Sequence, residues 1–125
     1  MRRFGRSVLS TLYRADVLVL HTTGRRSGTE RATTLAYTRR ADDLVIVGGA
    51  GGQRRLPDWV ANLRADPAAA VTSGAERRAV RAVEVTGEER AAMWPELVGT
   101  WPRIERYEQR AGRPVPVFRL ESVTP

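Results

Sequence analysis

An α+β fold, a small and mainly antiparallel barrel with helices at its ends, follows from three observations. Val17 to Thr22 is an almost unbroken apolar run of strand length, and Ala32 to Thr38 alternates, with Thr33, Leu35 and Tyr37 on one face. Only the short turn of residues 23–31 separates them, so the two strands should pair antiparallel. Between Thr86 and Gly112 the signals change to helical ones, before Val115 to Leu120 returns to strand. At 125 residues the chain should close one modest core, so residues 1–125 are read as a single domain.

Taken in order, residues 1–14 place Phe4, Val8, Leu9 and Leu12 at helical spacing among Arg2, Arg3, Arg6 and Arg14. This basic amphipathic segment suits either an anionic bilayer surface or one end of the sheet. After the first two strands, a polar turn at Arg40-Ala41-Asp42-Asp43 leads into Leu44 to Val47, expected as a third strand of the same meander. Gly48-Gly49-Ala50-Gly51-Gly52 is too rich in glycine for a strand and lacks the Lys-Ser/Thr of a phosphate-binding loop. It reads as a mobile loop or as backbone that approaches something flat or charged.

Pro57 to Arg64 is expected to be a short helix stopped by Asp66-Pro67, with Trp59 and Leu63 on one face. Two strands, Ala68 to Ser73 and Arg77 to Val85, should flank a turn at Gly74-Ala75. Thr86 and Glu89 have the spacing of a capping box, opening a helix that turns Ala91, Trp94 and Val98 inward and is kinked or restarted at Pro95. A further helix opens at Trp101-Pro102, buries Ile104, Tyr107 and Ala111, and ends at Gly112. Pro116 in the closing strand points to a sheet edge or a barrel rim.

The composition removes several function classes. There is no cysteine, which excludes disulfide scaffolds, thiolate metal sites and cysteine nucleophiles. A lone histidine, His21, leaves no set of ligands for zinc and no Ser-His-Asp triad, so no metal is expected and a cofactor should carry any chemistry. His21 itself reads as a structural donor. The formal charge of +7 comes wholly from arginine, since all 21 basic residues are of that type. Such a balance favours polyanionic partners, but the arginines are dispersed and form no recognised nucleic-acid-binding pattern. No apolar run approaches the ~20 residues of a membrane span and no secretory leader is visible, so the expected location is the cytoplasm, with peripheral membrane contact through residues 1–14 as the variant.

One stretch concentrates chemistry. Thr22-Thr23-Gly24-Arg25-Arg26-Ser27-Gly28, with Arg31 just beyond, gives a tight turn three guanidinium groups and several small or hydroxyl positions. Planar forks on a short turn suit a phosphate or carboxylate. Together with the glycine-rich loop and the aromatic residues of the later helices, the pattern suits an anionic tail bound beside a flat ring, that is, a phosphorylated aromatic cofactor.

From Val17 to Leu120 the chain resembles the deazaflavin-dependent nitroreductase family. The match rests on the Thr22 to Gly28 turn with Arg31, Gly51-Gly52, Pro57-Asp58-Trp59 with Asn62-Leu63, Asp66-Pro67, Val85 to Arg90, and Arg113 to Val117. The resemblance implies a split β-barrel and the cofactor coenzyme F-420, with FMN or FAD as the alternative. It assigns Arg26 and Arg31, with Arg25 assisting, to the cofactor's phosphate and acidic tail. Gly28 belongs to the same turn. The backbone of Gly49, Ala50, Gly51 and Gly52 is assigned to the ring, together with Trp59. Trp101, Ile104 and Tyr107 fall on the substrate side. The implied reaction is hydride transfer from the reduced deazaflavin to a quinone, an activated alkene or a nitro compound, with Tyr107 or bulk water giving the proton. Two departures stand out: Gly49-Ala50 replaces a common Ser-Lys, and Ile104 stands where nitroreducing members tend to place a further tyrosine. A flavin-dependent split-barrel oxidoreductase and a non-catalytic cofactor or tetrapyrrole carrier are the other readings, and a homodimer is compatible with all of them.

Overall fold

The computed structural model describes residues 16–49 and 54–123. Seven strands form one sheet: β1 (Val17–Thr23), β2 (Glu30–Ala36), β3 (Thr38–Arg40), β4 (Asp43–Val47), β5 (Ala68–Ser73), β6 (Glu76–Glu84) and β7 (Val117–Ser122). Among the described residues three helices join them: α1 (Asp58–Ala65), α2 (Gly87–Thr100) and α3 (Ile104–Ala111). Every strand pair is antiparallel, in the order β2-β1-β5-β6-β7-β4-β3. The outermost strands, β2 and β3, are separated along the chain by Tyr37 alone, so the sheet must curl until its two edges meet. The amide of Tyr37 donates to the carbonyl of Asp16 at 3.0 Å, beside the start of β1.

This corrects the expected meander. The run from Ala32 to Thr38 is not one strand but two, because the chain crosses the barrel seam at Tyr37 and re-enters on the opposite edge. β4 accordingly pairs with β3 and β7 rather than with the first two strands. Pro116 is not on an edge strand, and of the two expected placements the strand end at the barrel rim is the one that fits. It precedes β7, an interior strand between β6 and β4, and its carbonyl accepts the Gly48 amide at 2.8 Å.

The inside of the curl is filled by Leu18 and Leu20 of β1, Leu44 and Ile46 of β4, Val71, Val80, Phe118 and Leu120, closed by Trp59, Val60 and Leu63 of α1. A second cluster lies on the outer face, where Val45 and Val117 meet Val85, Met93, Leu97 and Ile104 under α2 and α3. Leu44, Val45 and Ile46 are all buried because β4 is covered on both sides.

Helix α2 departs from expectation in two ways, its inward face and its cap. Its inward face is Met93 and Leu97, with Trp94 and Val98 half-buried at the flanks and Ala91 exposed. Of the two outcomes expected at Pro95 the restart does not occur: the helix continues through it, and the carbonyl that loses its partner belongs to solvent-facing Ala91. The capping box does not form: Thr86 occupies the cap position without a side-chain bond. Gly87 enters the helix at φ 61°, and Glu89 Oε2 accepts from Arg119 Nε at 2.9 Å instead of replying to Thr86. The expected end at Gly112 is observed. Residues 1–14, with their amphipathic pattern, lie outside the described residues.

Candidate active site

The turn between β1 and β2 is closed by its own backbone. Gly24 N donates to Thr29 O at 2.7 Å and Gly28 N to Gly24 O at 2.8 Å. Gly28 takes φ 72°, a conformation that other side chains rarely adopt. Ser27 Oγ and Thr29 Oγ1 lie 2.7 Å apart across the bend. Tied in this way, the turn forms one wall of a cavity of about 620 Å³, whose opposite wall is α1.

Among the described residues, Arg25, Arg26, Arg31 and Arg55 line this cavity against the carboxylates of Glu30 and Asp58. The carboxylates are already engaged. Asp58 Oδ1 lies 3.2 Å from Arg55 Nη2 and 3.6 Å from Arg25 Nη2. The charge of Arg55, then its hydrogen bond and the more distant Arg25, holds the Asp58 carboxyl below its ordinary value. Glu30 Oε1 lies 2.6 Å from Arg77 Nη2, and that bond is the main cause of its lowered pKa. Arg26 and Arg31 are exposed and have no ion pair or side-chain hydrogen bond among the described residues. They leave the cavity with net positive character, directed at whatever anion enters it.

His21 supports this arrangement from behind. Its Nε2 is 2.7 Å from Thr72 Oγ1 on β5 and its Nδ1 is 3.4 Å from Glu30 Oε2. The Thr72 contact ties β1 to β5, while Nδ1 is buried without a hydrogen-bond partner among the described residues.

A second cavity, of about 350 Å³, lies farther along the same strand. Ala32 and Thr33 of β2 face the first cavity, and Leu35 and Ala36 the second. The second is walled by Val47, Gly49, Trp101, Ile104 and Tyr107, with Arg103 the one cation among the described residues of its lining. Gly49 is packed against the Tyr107 ring so closely that a Cβ placed there would lie 2.7 Å from Tyr107 Cδ2.

Most of the expected site residues therefore fall into two adjoining groups: Arg25, Arg26 and Arg31 in the first cavity, and Gly49, Trp101, Ile104 and Tyr107 in the second. Gly28 shapes the turn without lining either cavity. Trp59 borders the first cavity yet is a core residue, 5% exposed and stacked edge-on against Phe118 at 5.8 Å. Ala50, Gly51 and Gly52 lie outside the described residues. Sequence reasoning missed Asn62, Arg55 and Glu30. A polar residue at 62 on the apolar face of α1 was the available signal for the first of these.

Comparison with known proteins bears on this arrangement directly. The family model described as F420H2-dependent quinone reductase matches residues 1–122. The F420H2-dependent quinone reductase Rv1261c of Mycobacterium tuberculosis is 36% identical over 111 residues, covering 82% of this chain and 71% of that protein. A solved F420-H2 dependent reductase, FDR-A, superposes with a TM-score of 0.74 at 30% identity, over 84% of this chain and 93% of that one. Another structure at 30% identity, described as a domain-swapped dimer, gives 0.75 over 84% of this chain and 79% of its own. The heme storage protein HutZ of Vibrio cholerae gives 0.66 at 11% identity, over 97% of this chain and 93% of its own, a likeness of fold alone. The curled antiparallel sheet is thus the split barrel of the F-420-dependent reductases, and the chain belongs to the F420H2-dependent quinone reductase family.

Proposed function

We propose that the chain is an F420H2-dependent reductase that binds the cofactor's anionic tail in the arginine-lined cavity and its electron acceptor, a quinone, in the apolar one. The observation that carries this reading is the pair Arg26 and Arg31, without a partner among the described residues, on a cavity lined by Ala32 and Thr33 of β2, with a second, largely apolar cavity lined by Leu35 and Ala36 of the same strand. The residues present fit the cofactor: the guanidinium groups of Arg26 and Arg31, without a protein partner among the described residues, suit its phosphate and acidic tail. When bound, reduced F-420 supplies a hydride equivalent.

The chain's own part is to bind, orient and keep out water. Arg26 and Arg31 hold the tail. The main chain of Gly49 and the faces of Trp101 and Tyr107 bound the space in which the acceptor lies. Reduction of a quinone by hydride leaves negative charge on oxygen, so a proton must follow. We take the hydroxyl of Tyr107, a residue that lines that cavity, as the donor, with water as the competing source. Trp59 acts from the core beneath the turn.

The test is to titrate oxidised F-420, FMN and FAD separately into purified protein and follow fluorescence, then to follow oxidation of F420H2 with a quinone, an activated alkene and a nitroaromatic in turn. Saturable F-420 binding with quinone turnover is expected. FMN binding without any response to F-420 would select the flavin alternative. A homodimer, supported by the domain-swapped relative, is tested by sedimentation. No helix among the described residues is long and apolar enough to cross a membrane, and contact through residues 1–14 is tested by co-sedimentation with anionic vesicles.

A further inference from the structure

Asn62 is a polar side chain in an apolar place. It lies on the buried face of α1 with Trp59, Val60 and Leu63 and is 3% exposed. Burying an amide is unfavourable unless its hydrogen bonds are made, and the use to which these are put is specific. Asn62 Oδ1 accepts twice from one residue, from the Arg25 backbone N at 3.1 Å and from Arg25 Nη1 at 2.9 Å. On its other side Nδ2 approaches Thr22 Oγ1, at the foot of the same turn, at 3.4 Å. Backbone and side chain of Arg25 are thereby fixed to one oxygen, and Asp58 O, 3.5 Å from Arg25 Nη1, lies along the same guanidinium.

The consequence concerns the neighbour. With Gly24 tied to Thr29 and Gly28 to Gly24, Arg25 is the point where the free side of the turn is attached to the helix, and Arg26 follows it directly. We infer that Asn62 is a positioning residue: through Arg25 it holds the turn so that Arg26 and Arg31 present their guanidinium groups to the cofactor tail in the cofactor-free protein. Arg25 is on this account mainly a strut, and Arg26 and Arg31 carry the anion. The inference rests on the assignment of this cavity to the tail, and it locates the preorganisation of that site in a helix residue that need not touch the ligand.

The experiment combines equilibrium titration of oxidised F-420 with amide hydrogen exchange at Arg25 in cofactor-free protein, for wild type, Asn62→Leu, Asn62→Ser, Arg25→Met and the Asn62→Leu/Arg25→Met double variant. Leucine fills the space of the amide and serine relieves any crowding, so a folded variant is available whichever side chain the apolar face prefers. Expected are about tenfold weaker binding for both Asn62 variants, faster exchange of the Arg25 amide, and a double variant hardly worse than the poorer single one. In turnover the loss should appear as a higher KM for F420H2 more than as a lower kcat. Unchanged affinity in Asn62→Leu and Asn62→Ser, unchanged Arg25 exchange, or fully additive losses would each overturn the inference. A wild-type protein that ignores F-420 would instead refute the functional assignment, and the exchange measurement, which needs no cofactor, would still judge whether Asn62 fixes the turn.

Discussion

Gly49→Ala is the sharpest test of the second cavity, because a single methyl group is aimed at a single ring. The new Cβ would lie 2.7 Å from Tyr107 Cδ2 and 3.2 Å from Cε2, inside the contact distance of two carbons. Relief requires the ring to withdraw by roughly 1 Å, to the ordinary carbon separation of ~3.5–4 Å. Tyr107 is half-buried and packs against the cluster of Val45, Val85, Met93, Leu97, Ile104 and Val117, so withdrawal on one side compresses neighbours on the other. Overpacking of this kind costs about 1–3 kcal/mol, and the exposed edge of the ring places the value near the lower end. For a chain of this size that is a fall of about 4–8 °C in Tm, read by scanning calorimetry. The same substitution in a Tyr107→Ala background has no ring to strike and should cost much less. A Gly49→Ala protein as stable as wild type, or an equal loss in both backgrounds, would refute the reasoning.

Three further outcomes are expected. Arg26→Ala and Arg31→Ala should each weaken F-420 binding by ~1.5–3 kcal/mol with little change in Tm, since neither guanidinium has a protein partner to lose among the described residues; unaltered affinity in the double variant would remove the tail site. Trp59→Ala should cost ~3–5 kcal/mol of stability in a denaturant titration, because the ring is buried against Phe118, and a fully stable variant would contradict its placement in the core. Glu30 and Asp58 have folded-state pKa values below their ordinary 4.5 and 3.8, so the stability they contribute is fully present above those values and is lost as pH falls through the lower folded ones. Melting curves of Glu30→Gln and Asp58→Asn should therefore decline less steeply than wild type below about pH 4, and identical acid limbs would show that the pairs are not maintained in solution.

What the sequence made legible was what short-range pattern determines. The arginine turn, the β5–β6 hairpin and the helix end at Gly112 all depend on a few adjacent residues, and each is where the pattern places it. The break at Tyr37 was invisible because alternation of Thr33, Leu35 and Tyr37 continues through the residue at which the chain changes edges. Nothing local distinguishes a strand that ends from one that crosses a seam. Pro116 left two placements open for the same reason: its missing amide suits an edge strand, but it also suits the residue just before an interior one, at the rim, where it lies. Thr86 and Glu89 had the spacing of a capping box, yet the positive φ of Gly87 and the attraction of Arg119 for Glu89 are tertiary facts. At the site, the identities of Arg26 and Arg31 could be read from the turn. That Arg25 is already bound to Asn62, 37 residues away, could not.

The position of β7 has a consequence for how the molecule is made. It is the last of the seven strands along the chain, yet it lies between β6 and β4 and supplies the ladder that joins them. Until it emerges from the ribosome, the β3–β4 hairpin has no neighbour beyond itself, and one edge of β6 stays open. Arg119 then closes a contact with Asp43 across a separation of 76 residues, among the longest loops the chain must shut. Topology of this kind favours slow acquisition of structure, with the apolar faces of Leu44 and Ile46 waiting on residues translated long after them. A stalled or clipped product lacking β7 would thus be two sticky fragments of sheet rather than a slightly weakened enzyme, the kind of species that chaperones and proteases are adapted to find.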